Sequence, residues 1–328
     1  MSRYRFVSAM KAEGFPIQAA CEVAEVSTSA FYDWLERSTA PTEAEWDEAI
    51  VVNEMWNIHH HHDDTYGSPR MTDELRRRGR CVNHKRVERL QAENGLYARD
   101  GRRKKVRTTI PDVTAPPLPD LVGRDFAPGD PGKRTCGDIT YIPTGEGWLY
   151  LADVLDIGSR RIIGYALCDH MRSELVEQAL DMAVVTRGGD VAGMVFHHDR
   201  GAQYMGRDFR ALCLKHKIAQ SVGRIGSSQD NAVAESFWAS LKRELVSRYR
   251  FATRAEARRA IIAWINRYNA VRLHSTLGNV PPIEWELRYR QLALSGGGSV
   301  NSVPSDRPRG PGRQLLAPTT GRLVGVSA

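Results

Sequence analysis

Residues 135–167 read TCGDITYIPTGEGWLYLADVLDIGSRRIIGYAL, and this stretch decides the fold. It holds three short apolar runs, Thr135–Ile142, Trp148–Asp156 and Ile162–Leu167, rich in β-branched and aromatic residues and separated by Gly-containing turns. Such runs predict a three-strand antiparallel meander. Going outward toward the C-terminus, Ser173–Thr186 reads as a helix, Met194–His197 as a buried strand, Arg207–His216 as a helix and Ile218–Ser221 as a short strand. A Gly/Ser loop at Gly223–Ser228 precedes two helices, Asp230–Tyr249 and Arg254–Asn269. Three strands followed by alternating helices and strands predict an α/β domain over residues 133–290. Its expected form is a mixed five-stranded sheet with flanking helices.

Upstream the pattern is helical. Residues 1–38 predict a small helix-turn-helix-like unit: Phe6, Val7 and Met10 on one face, Ile17–Val23 as a second helix, and Ser27 capping a third with Phe31, Trp34 and Leu35. Residues 39–65 read as a polar linker (Thr39–Trp46) leading to a helix over Glu48–His60. The histidine run His59–His62 is expected to be a solvated, partly cationic loop. Four consecutive residues point in different directions and do not converge on one ion. Residues 66–107 predict a second helix-turn-helix-like unit, with helices Thr72–Arg78 and Asn83–Glu93 capped by Thr72 and Asn83 and broken at Gly79. Residues 108–132 hold six prolines and read as an extended linker, and residues 291–328 as a disordered Gly/Pro/Ser tail.

Charge points to the partner. The chain carries a net charge of +7, but residues 70–107 alone hold fourteen Lys/Arg against five Asp/Glu. Arg102, Arg103, Lys104 and Lys105 follow one another with no acid between them, and Lys85 and Arg86 open the second helix of the unit. A basic block of this density is the footprint expected for a polyanion, here double-stranded DNA. No run of about 18 apolar residues predicts a membrane span. The polar N-terminus has no apolar signal core. Five scattered cysteines without a C-x-x-C pair predict reduced thiols and a cytoplasmic protein.

The chemistry is carried by carboxylates. Asp138 lies in the first strand, Asp199 directly follows the fourth, and Glu235 lies on a long helix. Acids at strand ends converge at one rim of an open sheet, and oxygen ligands select hard ions such as Mg²⁺ or Mn²⁺. Two such ions can activate an attacking oxygen and stabilise a leaving one in phosphoryl transfer.

The neighbours of these acids are more specific: Asp138-Ile139-Thr140-Tyr141, then His198-Asp199-Arg200-Gly201-Ala202-Gln203-Tyr204, then Asp230-Asn231-Ala232-Val233-Ala234-Glu235, with 35 residues between the last two acids. This pattern resembles the D, D-35-E core of retroviral integrases and insertion-sequence transposases, an RNase H-like fold. It most resembles the OrfB product of the IS-three family. Upstream the likeness takes in Tyr66-Gly67-Ser68-Pro69-Arg70 and Val82-Asn83-His84-Lys85-Arg86-Val87. Downstream it takes in Leu241-Lys242-Arg243-Glu244, Tyr268-Asn269, Arg272, His274 and Pro281-Pro282.

The resemblance implies a DNA transposase that performs metal-dependent 3′-end cleavage and strand transfer. Asp138, Asp199 and Glu235 would be the catalytic metal ligands for two Mg²⁺ or Mn²⁺ ions. Lys242, two helical turns beyond Glu235, would contact a DNA phosphate. Asn231 and Gln203 would orient ligands or DNA. The partners implied are element ends and target DNA, a second copy of the chain on DNA, and an OrfA product, separate or fused by frameshifting. The glycines of Gly223–Gln229 would let Glu235 close on the ions once DNA is in place. Three departures stand out: Thr135 where family members commonly have Trp, His198 where Ser is usual, and the tail beyond residue 295. His198 is either a further ligand or a neighbour. The alternative from another class is a non-catalytic DNA-binding regulator or an inactive copy, which has no need of all three carboxylates.

Overall fold

A computed structural model of the chain describes residues 3–39, 41–98, 118–223 and 232–294. Two compact units divide between Arg102 and Arg103.

In the first unit, α1 (Arg3–Ala12), α2 (Ile17–Val23) and α3 (Thr28–Thr39) close around Val7, Ala20, Cys21 and Phe31. Ser27 caps α3 as expected, its hydroxyl accepting from the Ala30 amide at 3.1 Å. α4 (Glu43–His61) is longer than its sequence suggests, because Thr42 and Glu45 form a reciprocal capping box. The Glu45 carboxylate accepts from the Thr42 amide at 2.8 Å, and the Thr42 hydroxyl accepts from the Glu45 amide at 3.3 Å. The expected linker Thr39–Trp46 is therefore largely helix. Thr42→Ala is expected to speed hydrogen exchange of the Glu45 amide about fivefold, the equivalent of about 1 kcal/mol of cap, while Thr42→Ser leaves it near wild type.

α4 also absorbs most of the histidine run. His59 is buried with Nε2 3.2 Å from Asp64, and His62 is buried and stacked on Tyr66 at 3.8 Å. The expected loop is instead a helix end: His59 and His62 are packing material, while His60 and His61 are exposed as expected. α5 (Ser68–Arg77) begins at Gly67, with Pro69 in its first turn. Thr72 is thus inside the helix, buried, with its hydroxyl turned back to the Ser68 carbonyl at 2.7 Å, and is no cap. Asn83 does cap α6 (His84–Glu93), accepting from the Lys85 amide at 2.9 Å.

The second unit is built on a five-stranded sheet in the order β3-β2-β1-β4-β5. β1 (Arg134–Thr144), β2 (Gly147–Asp156) and β3 (Ile162–Cys168) form the antiparallel meander, while β4 (Val195–His198) and β5 (Ala219–Val222) add in parallel. Alternation sorts the side chains to two faces. Cys136, Ile142, Leu149, Leu151 and Leu155 pack under α10 (Ala232–Leu241) and α11 (Arg254–Ala270). Ala152, Val154, Ile163 and Phe196 face α7 (Ser173–Thr186) and Phe209 of α9 (Arg207–Lys215). α7 lies so close to β3 that a Cβ on Gly164 would meet the Ala179 carbonyl oxygen at 2.1 Å. A short α8 (Ala202–Met205) precedes α9, and α12 (Pro282–Leu294) ends the described chain.

Two expected boundaries shift. The C-terminal part of the Pro-rich segment is bound to the sheet, since the Val222 amide donates to the Pro119 carbonyl and the Leu121 amide to Ser221 Oγ. Val122 is buried in the core. Residues 291–294, read as tail, are the last turn of α12, which starts on Pro282.

Candidate active site

Asp138 and Asp199 are brought together by register. β1 and β4 run parallel with Cys136 opposite His197, so Asp138 lies two residues further along β1 and Asp199 two residues past His197, just beyond the end of β4. The β1–β4 ladder ends at Cys136, and among the described residues β1 has only β2 as a ladder partner from Asp138 until Thr144, which bridges to Phe251. The acids therefore stand at an open rim of the sheet.

α10 supplies the third side. Trp238 Nε1 donates to Asp138 Oδ2 at 3.2 Å. Glu235 lies three residues before Trp238, and Lys242 four after it, so the three share one helix edge. Helical geometry changes at Lys242: residues Lys242–Val246 form a π turn. There Glu244 is buried against Arg272, with Oε1 2.7 Å from Nη2. The Lys242 ammonium sits 6.0 Å from the Tyr141 ring centroid.

The site strains its acids. Asp138 is pushed up to about 7, first by burial and then by the like charge of Asp199, against the Ile139 amide, the Trp238 indole and Lys242. Asp199 is raised by burial, against a hydrogen bond from the Gly201 amide at 2.9 Å. Among the described residues, no trio of His, Cys, Asp and Glu side chains is gathered into a preformed metal site. Asp138 and Asp199 are juxtaposed, and Glu235 stands on the facing helix. The donors fit a hard divalent cation: they are carboxylate oxygens, and the repulsion between two buried acids is what such an ion would relieve.

One acid escaped the sequence reading. Asp153 on β2 is directly opposite Asp138 and 1% exposed. Its Oδ1 accepts from the Asp138 amide at 3.3 Å, and its buried Oδ2 has no hydrogen-bond partner among the described residues. Burial first, then Asp138, pushes its carboxyl well above the usual range. The signal was present: Asp153 interrupts the inward series Leu149, Leu151, Leu155.

Asp156, by contrast, is tied to Arg187 at 2.7 Å and serves the fold. His198 turns into the core, stacked on Tyr204 at 4.9 Å, with Nδ1 donating to the Asp199 carbonyl and Nε2 accepting from Gln220. Burial lowers it to about 4, so the ring is neutral, and both of its nitrogens are engaged by protein partners. Thr135 fills its buried position by donating its hydroxyl to the Val195 carbonyl at 3.0 Å. Gln203 donates to the Met171 carbonyl at 3.2 Å.

Of the basic residues, Arg86 is held by Asp47 at 3.1 Å and Glu48 at 3.6 Å, while Lys85 is exposed. Arg80 and Arg89 likewise pair with Glu54 and Glu48 of α4. The acids of α4 thus offset part of the local basic excess. Arg102, Arg103, Lys104, Lys105, Asn231 and most of the Gly223–Gln229 loop lie outside the described residues.

The chain is similar to known proteins over most of its length. Integrase core domain models match residues 129–228 and 216–282, and an HTH-like domain model matches residues 45–105. The insertion element IS600 31 kDa protein of Shigella sonnei is 36% identical over 83% of this chain and 99% of its own length. Transposase InsF for insertion sequence IS3A of Escherichia coli is 34% identical over 87% of this chain and 98% of its own length. Among solved structures, the catalytic core domain of HTLV-2 integrase in complex with magnesium is 16% identical, covering 44% of this chain and 92% of that one at a TM-score of 0.35. The sheet with helices on both faces is the RNase H-like integrase core.

Proposed function

The chain belongs to the IS-three family of insertion-sequence transposases, enzymes of DNA transposition, and we propose that it cleaves the 3′ ends of its element and joins them to new DNA through the Asp138–Asp199–Glu235 triad. The observation that carries this reading is the juxtaposition of Asp138 and Asp199 at the open rim of the sheet, faced by the helix that bears Glu235. The three carboxylates would hold two Mg²⁺ or Mn²⁺ ions. When bound, such ions supply a deprotonated attacking oxygen and charge stabilisation at the leaving oxygen.

The protein's own residues do the positioning. Trp238 fixes the Asp138 carboxylate, and the Gly201 amide fixes Asp199. Lys242, beside Asp138, contacts a phosphate of the bound strand, which sets DNA register without reading sequence. Water, or the freed 3′-hydroxyl, is the nucleophile, so no side chain forms a covalent bond to DNA. Lys85 and the block Arg102, Arg103, Lys104 and Lys105 add phosphate contacts from the HTH-like region, and a second copy of the chain and an OrfA product complete the assembly on DNA.

The test is strand transfer of labelled element ends by the purified protein in Mg²⁺, adding OrfA product in a parallel reaction. Wild type is expected to give joined product. Asp199→Asn and Glu235→Gln are each expected to reduce it at least about a thousandfold while DNA binding persists. Product from the Glu235→Gln variant at the wild-type rate would remove that residue from the mechanism. Binding without product in every reaction would favour the regulator.

A further inference from the structure

Tyr141 and Trp148 are two large aromatic residues that the triad does not use. They stand exposed side by side, 39% and 48% accessible, with ring centroids 4.9 Å apart and planes at 81°. Strand register places them there. Tyr141 is opposite Tyr150 and Trp148 opposite Pro143, so the two side chains are diagonal neighbours on one face of the β1–β2 ladder. Single exposed aromatics are ordinary, but an adjacent pair needs an occupant or a reason.

The surroundings identify the occupant. Lys242 holds its ammonium 6.0 Å from the Tyr141 ring, and Arg254 donates to the Trp148 carbonyl at 3.0 Å. Lys242 thus stands beside the Tyr141 ring and Arg254 at the backbone of Trp148, and cations next to an aromatic pair suit a base with its phosphate attached. Tyr141 is three residues along β1 from Asp138, so its side chain leaves the opposite face of the sheet and joins the site through Lys242, whose charge also acts on Asp138. It lies on the stretch of β1 that β4 leaves uncovered.

We propose that Tyr141 and Trp148 form a stacking platform for an unpaired base next to the reacting phosphate, with Lys242 and Arg254 taking the flanking backbone charges. This deepens the transposase reading, since it says that the strand end is held frayed and not as closed duplex. Stacking on an aromatic ring is indifferent to base identity, so the platform would tolerate any terminal nucleotide.

The experiment measures binding without chemistry. Full-length protein in EDTA is titrated with a duplex ending in two unpaired nucleotides, one of them 2-aminopurine, and with the fully paired duplex. The wild type is expected to quench the 2-aminopurine and to bind the frayed duplex about tenfold more tightly than does Trp148→Ala. Trp148→Phe is expected to retain the quench, and the paired duplex to bind all three proteins within about twofold. Equal quench and affinity for wild type and Trp148→Ala would overturn the platform, as would the absence of any quench with wild type. A change in oligomeric state on Trp148→Ala, with DNA affinity untouched, would overturn it too and assign the patch to protein contact. Because no cleavage is read, failure here leaves the strand-transfer result standing, and the reverse also holds.

Discussion

Asp138→Asn is expected to stabilise the protein at pH 8 in EDTA by about 2–4 kcal/mol while abolishing strand transfer. Burial and the neighbouring Asp199 together raise the Asp138 carboxyl to about 7. An unfolded aspartate titrates near 3.9, so the offset is about 3 units, or about 4 kcal/mol at most. The sign follows from linkage. Below about pH 4 the carboxyl is protonated in both states and adds nothing. Between about pH 4 and 7 the unfolded chain releases its proton while the folded protein keeps it, so folding stability falls as pH rises. Above about pH 7 the full cost of the buried charge is present. An asparagine has no charge to desolvate, and its carbonyl still accepts from Trp238. The difference between the two proteins, read by calorimetry in EDTA, should therefore be near zero at pH 4, open between pH 4 and 7, and then stay level. An asparagine variant less stable than wild type at pH 8 would show that this carboxylate is not a strained group.

Arg187→Met is expected to have the opposite effect and a comparable size. Arg187, at the C-terminal cap of α7, reaches Asp156 at the end of β2 and Glu286 on α12, each at 2.7 Å. Arg161 at 2.8 Å and the Ser159 hydroxyl at 2.7 Å complete the cluster around Glu286. Asp156 is 0% exposed at its side chain and Glu286 3%, so the guanidinium neutralises two acids that water does not reach. The pair responds unequally. Burial raises Asp156 even beside Arg187, whereas for Glu286 the hydrogen bonds and charge of Arg187 outweigh burial and hold it below the ordinary range. Removing one member of a buried ionic cluster costs about 3–5 kcal/mol, because the remaining charges are left uncompensated. Thermal unfolding of Arg187→Met should accordingly fall by roughly 10 °C. Replacing Arg187, Asp156 and Glu286 together by apolar residues of similar volume should recover most of the loss. Recovery by no combination would mean that the cluster acts through packing and not charge.

What could be read from the sequence follows the reach of local rules. The strands of the meander were legible because alternation and turn glycines are local signals. So were the Ser27 and Asn83 caps. Asp138, Asp199 and Glu235 could be picked out only through the motifs around them, since an acid near a strand end is usually a turn residue. Thr72 was misread because Pro69 already marks the first turn of α5, and a capping threonine cannot also sit in the next turn. α12 went unread because its start is a proline pair, a signal that serves linkers and first helical turns alike. Asp153 and the π turn at Lys242–Val246 belong to a different class. One is legible only once the face of β2 is known, and the other arises where α10 must present Lys242 to the rim while Glu244 meets Arg272. The inward turn of His198 is likewise a tertiary fact: Phe196, Tyr204 and Phe209 make the aromatic pocket that takes the ring.

The central claim is that the triad works by holding divalent ions against the scissile phosphate. The most direct measurement replaces the 3′-bridging oxygen at the element's cleavage site with sulfur and compares cleavage in Mg²⁺ and Mn²⁺. Wild type is expected to cleave the sulfur substrate poorly in Mg²⁺ and to recover in Mn²⁺, the softer ion, and Glu235→Gln to recover in neither. Cleavage of the sulfur substrate at the same rate in both ions, or any product in EDTA, would contradict it.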